Sequence, residues 1–208
     1  MTPLSSEQID AFMTRIPSTK RDEIMSKHTS FRIGGPARLY LVANSSDEAI
    51  AGIQVAQALN IPFYIFGGGS NMLVADQGYE GVMIQLANRA LKIEGTKVMV
   101  ESGVITGLVA RKTVEAGLTG FEWAIGVPGT IGGAIYGDAG CYGGEMRDSV
   151  TSVDVYDLNT HERKILDRAA CEFGYRESRF KRESFLILGC ELELKPTQDI
   201  EKGRKRME

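Results

Sequence analysis

The pattern of hydrophobic and polar residues between residues 33 and 81 predicts a β-α-β unit. Residues 39–42 and 63–66 are short apolar runs of the kind that forms buried strands. Between them, apolar residues recur at helical spacing after a capping-box pattern at Ser45 and Glu48. A glycine-rich segment follows the second of these strands directly.

Beyond residue 86 the pattern changes to paired strands. Two hairpins are predicted from four short runs, residues 91–94, 97–101, 150–157 and 162–166. Thr106 is expected to cap a helix that ends near residue 117. Residues 185–194 form the clearest strand, because apolar residues alternate there with Glu191 and Glu193.

The chain is therefore predicted to be α+β and to have four parts. These are an N-terminal helical extension (1–19), a first subdomain (20–86), a second subdomain (87–196) and a charged stub (197–208). The extension opens with a capping-box pattern at Ser5 and Gln8. The stub has no apolar stripe, so we expect it to bury nothing and to act as a linker to a further domain.

Charge and cysteine content narrow the class of protein. The net charge of −3 and a pI of about 5.6 provide no basic field that would favour nucleic acid or a membrane surface. Three cysteines without paired spacing and two distant histidines make a zinc site improbable and fit a reducing cytosol. Residues 1–15 lack the apolar core of a signal peptide.

Glycine is the unusual component, with 24 in 208 residues, concentrated at 34–35, 67–69 and 126–144. Consecutive glycines let several backbone N–H groups approach one anion, so the loop after the strand at 63–66 is a candidate pyrophosphate site. Its residues are Gly67, Gly68, Gly69, Ser70 and Asn71. The loop is neither a Walker A motif nor a Rossmann fingerprint. A plain glycine turn is the alternative interpretation.

The second cluster begins with a rigid Pro-Gly turn followed by small residues, a surface against which a flat aromatic ring could lie. Its residues are Gly126, Val127, Pro128, Gly129, Thr130, Ile131, Gly132 and Gly133, with Ala139 and Gly140 following. A tightly packed helix start without a ligand is the alternative. Two glycine-rich surfaces on different subdomains favour a bound dinucleotide.

Four stretches in order resemble the signature of the UDP-N-acetylenolpyruvoylglucosamine reductases, the MurB family. They are Thr-Ser-Phe-Arg-Ile-Gly-Gly-Pro-Ala at residues 29–37, then residues 67–74 and 126–145, and Phe-Gly-Tyr-Arg-Glu-Ser-Arg-Phe-Lys at residues 173–181. The resemblance covers residues 27–194. The chain has no counterpart to the last third of the family's sequence, so it looks C-terminally truncated.

The resemblance implies an FAD-binding fold of the vanillyl-alcohol oxidase (PCMH) type, whose third, substrate-binding domain is absent here. It implies noncovalent FAD, NADPH as reductant, and reduction of UDP-N-acetylglucosamine enolpyruvate to UDP-N-acetylmuramate in cytoplasmic peptidoglycan precursor synthesis for the cell wall. The cofactor performs the hydride chemistry, and the protein positions and polarises the substrate.

The same resemblance assigns Arg176 as the catalytic arginine, with Tyr175 beside it. A guanidinium stabilises the charge that hydride addition places on the substrate. Without the resemblance, Arg176 would be interpreted as an ordinary surface arginine. The family's proton-donating serine and its late glutamate lie beyond residue 208, so Ser178 is expected to be a structural hydroxyl. The 208-residue chain is expected to have little or no reductase activity.

Three positions complicate this interpretation. Asp138 stands where the family commonly has asparagine, and Cys141 where alanine is frequent. Neither Cys141 nor His28 is expected to attach FAD covalently. Two further functions stay open, namely another PCMH-type flavoprotein oxidoreductase and a non-catalytic FAD-binding protein. Without the third domain, the uncovered cleft is expected to favour self-association.

Overall fold

The structure, a computed structural model, describes residues 2–207, except for the side chains of Lys202 and Arg206. The chain divides into two compact units, Met1–Asn88 and Arg89–Glu208. The boundary lies two residues beyond the one expected from the sequence. Each unit has its own sheet and its own apolar core.

Within the described residues, the first unit contains two α-helices, one short 3-10 helix (Met25–Lys27) and a four-stranded sheet. Its elements are α1 (Ser6–Arg15), β1 (Lys20–Ile24), β2 (Pro36–Ala43), α2 (Ser46–Ala58), β3 (Phe63–Phe66) and β4 (Tyr79–Leu86). The strand order is β1-β2-β4-β3, in which β4 runs parallel to β2 and β3 and β1 runs antiparallel to β2. The predicted β-α-β unit is confirmed, with β4 inserted between its two strands.

The two capping-box predictions have different outcomes. At α1, the Ser5 hydroxyl accepts from the Gln8 N–H, and the Gln8 side chain accepts from the Ser5 N–H. At α2, the Ser45 hydroxyl accepts from the Glu48 N–H at 3.1 Å. The Glu48 carboxylate instead accepts from the N–H of Asn44, at 2.7 Å. The second box is therefore wrong in its reciprocal half, because the carboxylate reaches one residue further back.

The second unit contains a five-stranded antiparallel sheet with short helices. Its elements are β5 (Leu91–Glu94), β6 (Lys97–Glu101), α3 (Thr106–Glu115), β7 (Leu118–Thr119), α4 (Ile131–Tyr136), β8 (Gly140–Cys141), β9 (Gly144–Glu145), α5 (Met146–Ser149), β10 (Val150–Asp157), β11 (Arg163–Asp167), β12 (Phe185–Glu193), β13 (Lys195–Pro196) and α6 (Ile200–Arg206). The order of the large sheet is β11-β10-β12-β6-β5. Both predicted hairpins, β5-β6 and β10-β11, are confirmed.

Strand β12 is more buried than its sequence pattern predicted. Residues 186–190 are all buried, and only the end of the strand alternates, with Glu191 half-buried and Glu193 exposed. The strand lies between β10 and β6 and is also contacted by α4. Consecutive residues of a strand point to opposite faces, so residues 186–190 are buried on both faces and apolar side chains suit both.

The predicted cap of α3 is wrong. Ile105 occupies the N-cap position without a side-chain hydrogen bond, and Thr106 is already helical. The Thr106 hydroxyl and its backbone N–H both donate to the carbonyl of Gly129, at 3.2 and 3.1 Å. The hydroxyl is therefore used to hold the Pro128-Gly129 turn rather than to cap the helix.

The expectation that residues 197–208 bury nothing is also wrong. The N–H of Thr197 donates to the carbonyl of Gly117, and α6 contacts α3. Gly203 is buried, and a Cβ there would lie 2.9 Å from a methyl carbon of Val114. Met207 packs against the core of the unit. One small residue lets a charged segment dock closely despite its lack of an apolar stripe.

Candidate functional site

The glycine loop of the first unit, residues 67–71, leaves the end of β3. Gly69 has a φ of +64°, and a Cβ there would lie 2.0 Å from the carbonyl oxygen of His28. Gly69 is therefore required by the fold itself. Gly68 and Asn71 are exposed, and Gly67 and Ser70 are half-buried. The exposed Gly68 is the position where the loop can be approached by another molecule.

The carbonyl groups of this loop are bound to the protein. The Gly67 carbonyl accepts from Nε2 of Gln85 at 3.2 Å, and the Gly69 carbonyl accepts from the Ser30 N–H at 3.0 Å. No peptide in the described residues is cis, and the N–H of a trans peptide points opposite to its carbonyl. The N–H groups of Gly68 and Ser70 therefore point away from Gln85 and Ser30 respectively. At Gly68, which is exposed, the N–H is oriented as in loops that bind anions.

The first signature stretch, residues 29–37, packs against the glycine loop. The Thr29 hydroxyl donates to the Ile33 carbonyl at 3.0 Å, and Arg32 adopts a φ of +55°. Gly35 lies so close to the backbone of Asp76 that a Cβ would be 1.9 Å from its carbonyl oxygen. This stretch therefore packs as a tight turn against the chain that follows the loop.

In the second unit, the segment 126–133 leads into α4 and contains glycines with opposite roles. Gly132 is buried, its N–H donates to the Ser102 carbonyl at 2.9 Å, and a Cβ there would lie 2.8 Å from Cβ of Ser102. Gly133 is exposed, and the nearest atom to a Cβ there would be Oγ1 of Thr130, at 4.0 Å. One glycine packs against the residue that follows β6, and the next leaves an exposed patch of backbone.

Arg176, Tyr175 and Gly140 share one open cleft of about 430 Å³ in the second unit. Nη2 of Arg176 donates to the Gly140 carbonyl at 2.9 Å, and its guanidinium lies 6.0 Å from the Tyr175 ring centre. The cleft is lined by Gly140, Cys141, Tyr142, Gly143, Gly144, Glu145, Arg147, Asp148, Tyr175 and Arg176. A cationic side chain is thus held at the glycine-rich hairpin β8-β9.

Other expected site residues lie elsewhere. Within the described residues, the lining of this cleft includes no residue of 126–133, although Gly126 lies close to Tyr142 and Cys141. Both backbone groups of Ala139 are used within the fold, its N–H by the Ala134 carbonyl and its carbonyl by the Met146 N–H. The glycine loop 67–71 belongs to the first unit.

Asp138 is a buried carboxylate beside the cleft. Its Oδ1 accepts from the Arg147 N–H at 3.0 Å, whereas the buried Oδ2 has no hydrogen bond and lies 3.5 Å from Nε of Arg147. Burial raises the pKa of Asp138 above its usual value, against the opposing effect of Arg147. The residue therefore occupies its site at an energetic cost when it is ionised.

Ser178 is fully buried, and its hydroxyl donates to the Tyr136 carbonyl at 2.7 Å. The expectation that it is a structural hydroxyl is confirmed.

The sequence analysis missed a set of polar side chains that are linked to the glycine loop by hydrogen bonds, chiefly Tyr40 and Gln85. They connect His28 to the Gly67 carbonyl. The available signal was a tyrosine and a glutamine inside otherwise apolar strands, since buried polar groups require partners.

The FAD binding domain family matches residues 37–164, more than half of the chain. The chain belongs to this family.

Comparison with individual proteins agrees with the resemblance found in the four stretches. A UDP-N-acetylenolpyruvoylglucosamine reductase from Caldanaerobacter subterraneus subsp. tengcongensis is 40% identical over 188 residues, which are 90% of this chain and 62% of that protein. The crystal structure of the corresponding reductase (MurB) from Thermus caldophilus has a TM-score of 0.77 at 28% identity, covering 91% of this chain and 66% of that one. The chain thus spans about three fifths of these relatives.

The predicted α+β fold of the PCMH type is confirmed. An alkyldihydroxyacetonephosphate synthase shares it with a TM-score of 0.63 at 13% identity, over 94% of this chain and 42% of that one. In the described residues, no helix is long and apolar enough to cross a membrane. No group of three or more His, Cys, Asp and Glu side chains within residues 2–207 is arranged to hold a metal ion.

Proposed function

We propose that this chain binds FAD noncovalently and is the flavin-binding part of an NADPH-dependent reductase acting on UDP-N-acetylglucosamine enolpyruvate. The observation that carries the proposal is the orientation of the glycine loop, where the N–H of the exposed Gly68 points away from the strand that holds the Gly67 carbonyl. Such a loop suits a pyrophosphate, and the match to the FAD binding domain family supports FAD as the dinucleotide.

The glycines fit this cofactor in each unit separately. In the first unit, the exposed backbone of Gly68 would contact the pyrophosphate, while Gly69 keeps the loop in place. In the second unit, the exposed backbone of Gly133 would lie against the flavin ring, and Gly132 keeps α4 packed on the sheet. At Gly133 the exposed glycine leaves space that a side chain would fill, and at Gly68 the backbone is exposed.

Bound FAD would supply hydride chemistry for the enolpyruvyl double bond, with NADPH as its reductant. The residues of the chain would bind and polarise the substrate. Arg176 is exposed, cationic and held at Gly140, so its guanidinium could stabilise the negative charge that develops next to the substrate carboxylate. Tyr175, which is 79% exposed beside it, would help to orient that guanidinium.

The first test is an FAD titration of the purified chain, followed by flavin absorbance and fluorescence. We expect saturable binding that is lost when the protein is denatured, as a noncovalent complex requires. Folded protein that shows no flavin signal at saturating FAD would refute the assignment of both glycine segments.

The second test is substrate-dependent oxidation of NADPH by the FAD-loaded chain. The reductase relatives serve as the positive control. We expect residues 1–208 alone to be nearly inactive, because the proposed proton donor and glutamate are outside them. A rate close to that of the control would place the donor within this chain. If FAD binds but an extended chain carrying the C-terminal part of a reductase relative is also inactive, the protein acts on another substrate or has no catalytic role.

A further inference from the structure

A continuous line of hydrogen bonds in the first unit runs from a carboxylate to the glycine loop. Oε1 of Glu23 lies 2.9 Å from Nε2 of His28, and Nδ1 of His28 lies 3.1 Å from the Tyr40 hydroxyl. The Tyr40 hydroxyl contacts Oε1 of Gln85, and Nε2 of Gln85 donates to the Gly67 carbonyl at 3.2 Å. We name these five residues the loop relay.

Both ends of the loop relay are groups that only accept. The Gly67 carbonyl has no proton, so the amide nitrogen of Gln85 must face it, and the amide oxygen must face Tyr40. The single hydroxyl proton of Tyr40 is then used on Gln85. His28 must therefore donate from Nδ1 to Tyr40 and from Nε2 to the Glu23 carboxylate.

The proton count follows directly. The four contacts need four protons, and a neutral histidine, a tyrosine and one amide N–H supply three. A doubly protonated imidazole supplies the fourth. When His28 is neutral, two acceptor atoms face each other at one contact, which is Glu23–His28, His28–Tyr40 or Tyr40–Gln85 depending on the tautomer and on the Tyr40 hydroxyl, and such a part-buried mismatch is unfavourable.

We infer that His28, Tyr40 and Gln85 are positioning residues for the glycine loop, and that the loop is fixed for an anionic cofactor only while His28 carries both imidazole protons. The inference rests on the proposed FAD site. It assigns a role to residues that do not themselves touch the ligand.

The surroundings of the loop relay agree with this assignment. Burial, followed by the charge of Glu23, raises the pKa of Tyr40 to about 12, so its hydroxyl keeps its proton. The hydrogen bond from His28 lowers the pKa of Glu23, which keeps the carboxylate ionised. The charged groups around His28 are Glu23, with Lys27 at 3.9 Å from its carboxylate and Lys20 acting on it through charge.

Two further contacts tie His28 to the loop. Its imidazole stacks on the Tyr40 ring with centres 4.5 Å apart. Its own carbonyl lies against Gly69, where a Cβ would be 2.0 Å away. A change in His28 is therefore transmitted to the loop both through Gln85 and through the backbone.

The experiment measures FAD affinity by fluorescence between about pH 5.5 and about pH 8.5, the range in which histidine changes charge. Imidazole ¹⁵N spectra are recorded over the same range. The chain has two histidines, so a His161→Gln background leaves His28 as the only imidazole. We expect FAD to bind about tenfold more weakly at high pH, a factor typical of one lost buried hydrogen bond. The transition should coincide with loss of the second proton of His28.

Tyr40→Phe removes the central hydroxyl and keeps the ring. We expect about tenfold weaker FAD binding at low pH and a flat pH profile, because both Gln85 and His28 lose their partner. Tyr156→Phe is the matched control, since Tyr156 makes the same kind of contact to His161, at 3.1 Å, in the second unit. That variant should keep the affinity and pH profile of the unmodified chain.

A pH-independent FAD affinity while His28 titrates would overturn the inference, and so would Tyr40→Phe protein that folds and keeps the unmodified profile. If Tyr40→Phe does not fold, the coincidence of the two transitions in the unmodified chain decides. Absence of FAD binding at every pH refutes the proposed function instead. The relay is then judged by the ¹⁵N spectra alone, and a His28 titration that is unchanged in Tyr40→Phe would refute it.

Discussion

Adjacent glycines at the start of α4 allow the flavin proposal to be tested apart from the fold. We consider Gly133→Ala, with Gly132→Ala as its matched control. Both positions lie in the same helix, and both changes add one methyl group. The two differ in what the methyl group meets, which is an ordinary contact with Oγ1 of Thr130 at Gly133 and a clash with Cβ of Ser102 at Gly132.

The magnitudes follow from these distances. At Gly133 the new Cβ has its nearest neighbour at 4.0 Å, so the change should stabilise the protein by up to about 1 kcal/mol through helix propensity. At Gly132 the new Cβ would lie 2.8 Å from Cβ of Ser102, well inside the contact distance of two carbons. Overpacking of this kind costs about 1–3 kcal/mol, which exceeds the propensity gain.

FAD affinity should respond differently. A methyl group on the exposed backbone at Gly133 would separate the ring from that surface, and we expect binding to weaken about tenfold, equivalent to about 1.4 kcal/mol. The assays are thermal unfolding of the apo protein and FAD titration of both variants.

Two results would contradict this reasoning. A Gly133→Ala protein that is at least as stable as the unmodified chain and binds FAD equally well would show that the ring does not lie there. A Gly133→Ala protein as unstable as Gly132→Ala would show that the surface at Gly133 is not open.

Three further predictions concern other parts of the site. Gly68→Val should weaken FAD binding at unchanged thermal stability, whereas Gly69→Val should lower the melting temperature even without FAD. Equal melting temperatures for the two variants would contradict the assignment of Gly68 to the ligand and of Gly69 to the fold. Arg176→Ala should cost roughly 3 kcal/mol of transition-state stabilisation, measured by NADPH oxidation in the extended chain, while FAD affinity stays unchanged. Unaltered turnover would mean that Arg176 is only a surface charge. Asp138→Asn should stabilise the protein in denaturant unfolding at neutral pH but not in acid. Burial raises the pKa of Asp138 in the folded protein, so the stability of the unmodified protein is highest below the pKa of Asp138 in the unfolded chain and falls as pH rises through its pKa in the folded protein. A pH-independent effect of Asp138→Asn would exclude this cause.

The elements that were predicted correctly are those whose signals are local. The α1 capping box and the two hairpins depend on residues only a few positions apart, and the structure contains all three. Thr106 and residues 197–208 failed for the opposite reason. Their partners, the Gly129 carbonyl and Val114, are far away in sequence, and no periodicity within the segment itself reports them.

The candidate site was predictable only in part. Glycine clusters indicated where backbone comes close to something, but they did not distinguish Gly69 and Gly132, which meet the protein, from Gly68 and Gly133, which are exposed. That distinction depends on φ angles and on neighbours from other strands. The resemblance supplied Arg176, whereas its hydrogen bond to Gly140 required three-dimensional coordinates.

The position of β12 has a consequence for how the second unit forms as the chain is synthesised. Strand β6 at residues 97–101 pairs with β12, whose pairing residues are 189–193, so about ninety residues must be made before that edge of the β5-β6 hairpin is covered. Non-local pairing of this kind slows folding, whereas β1 to β4 complete their sheet within the first 86 residues. We therefore expect the first unit to be folded on the ribosome while β6 still has an open edge. The unpaired hairpin would then be the part of the nascent chain most exposed to aggregation and most dependent on chaperones.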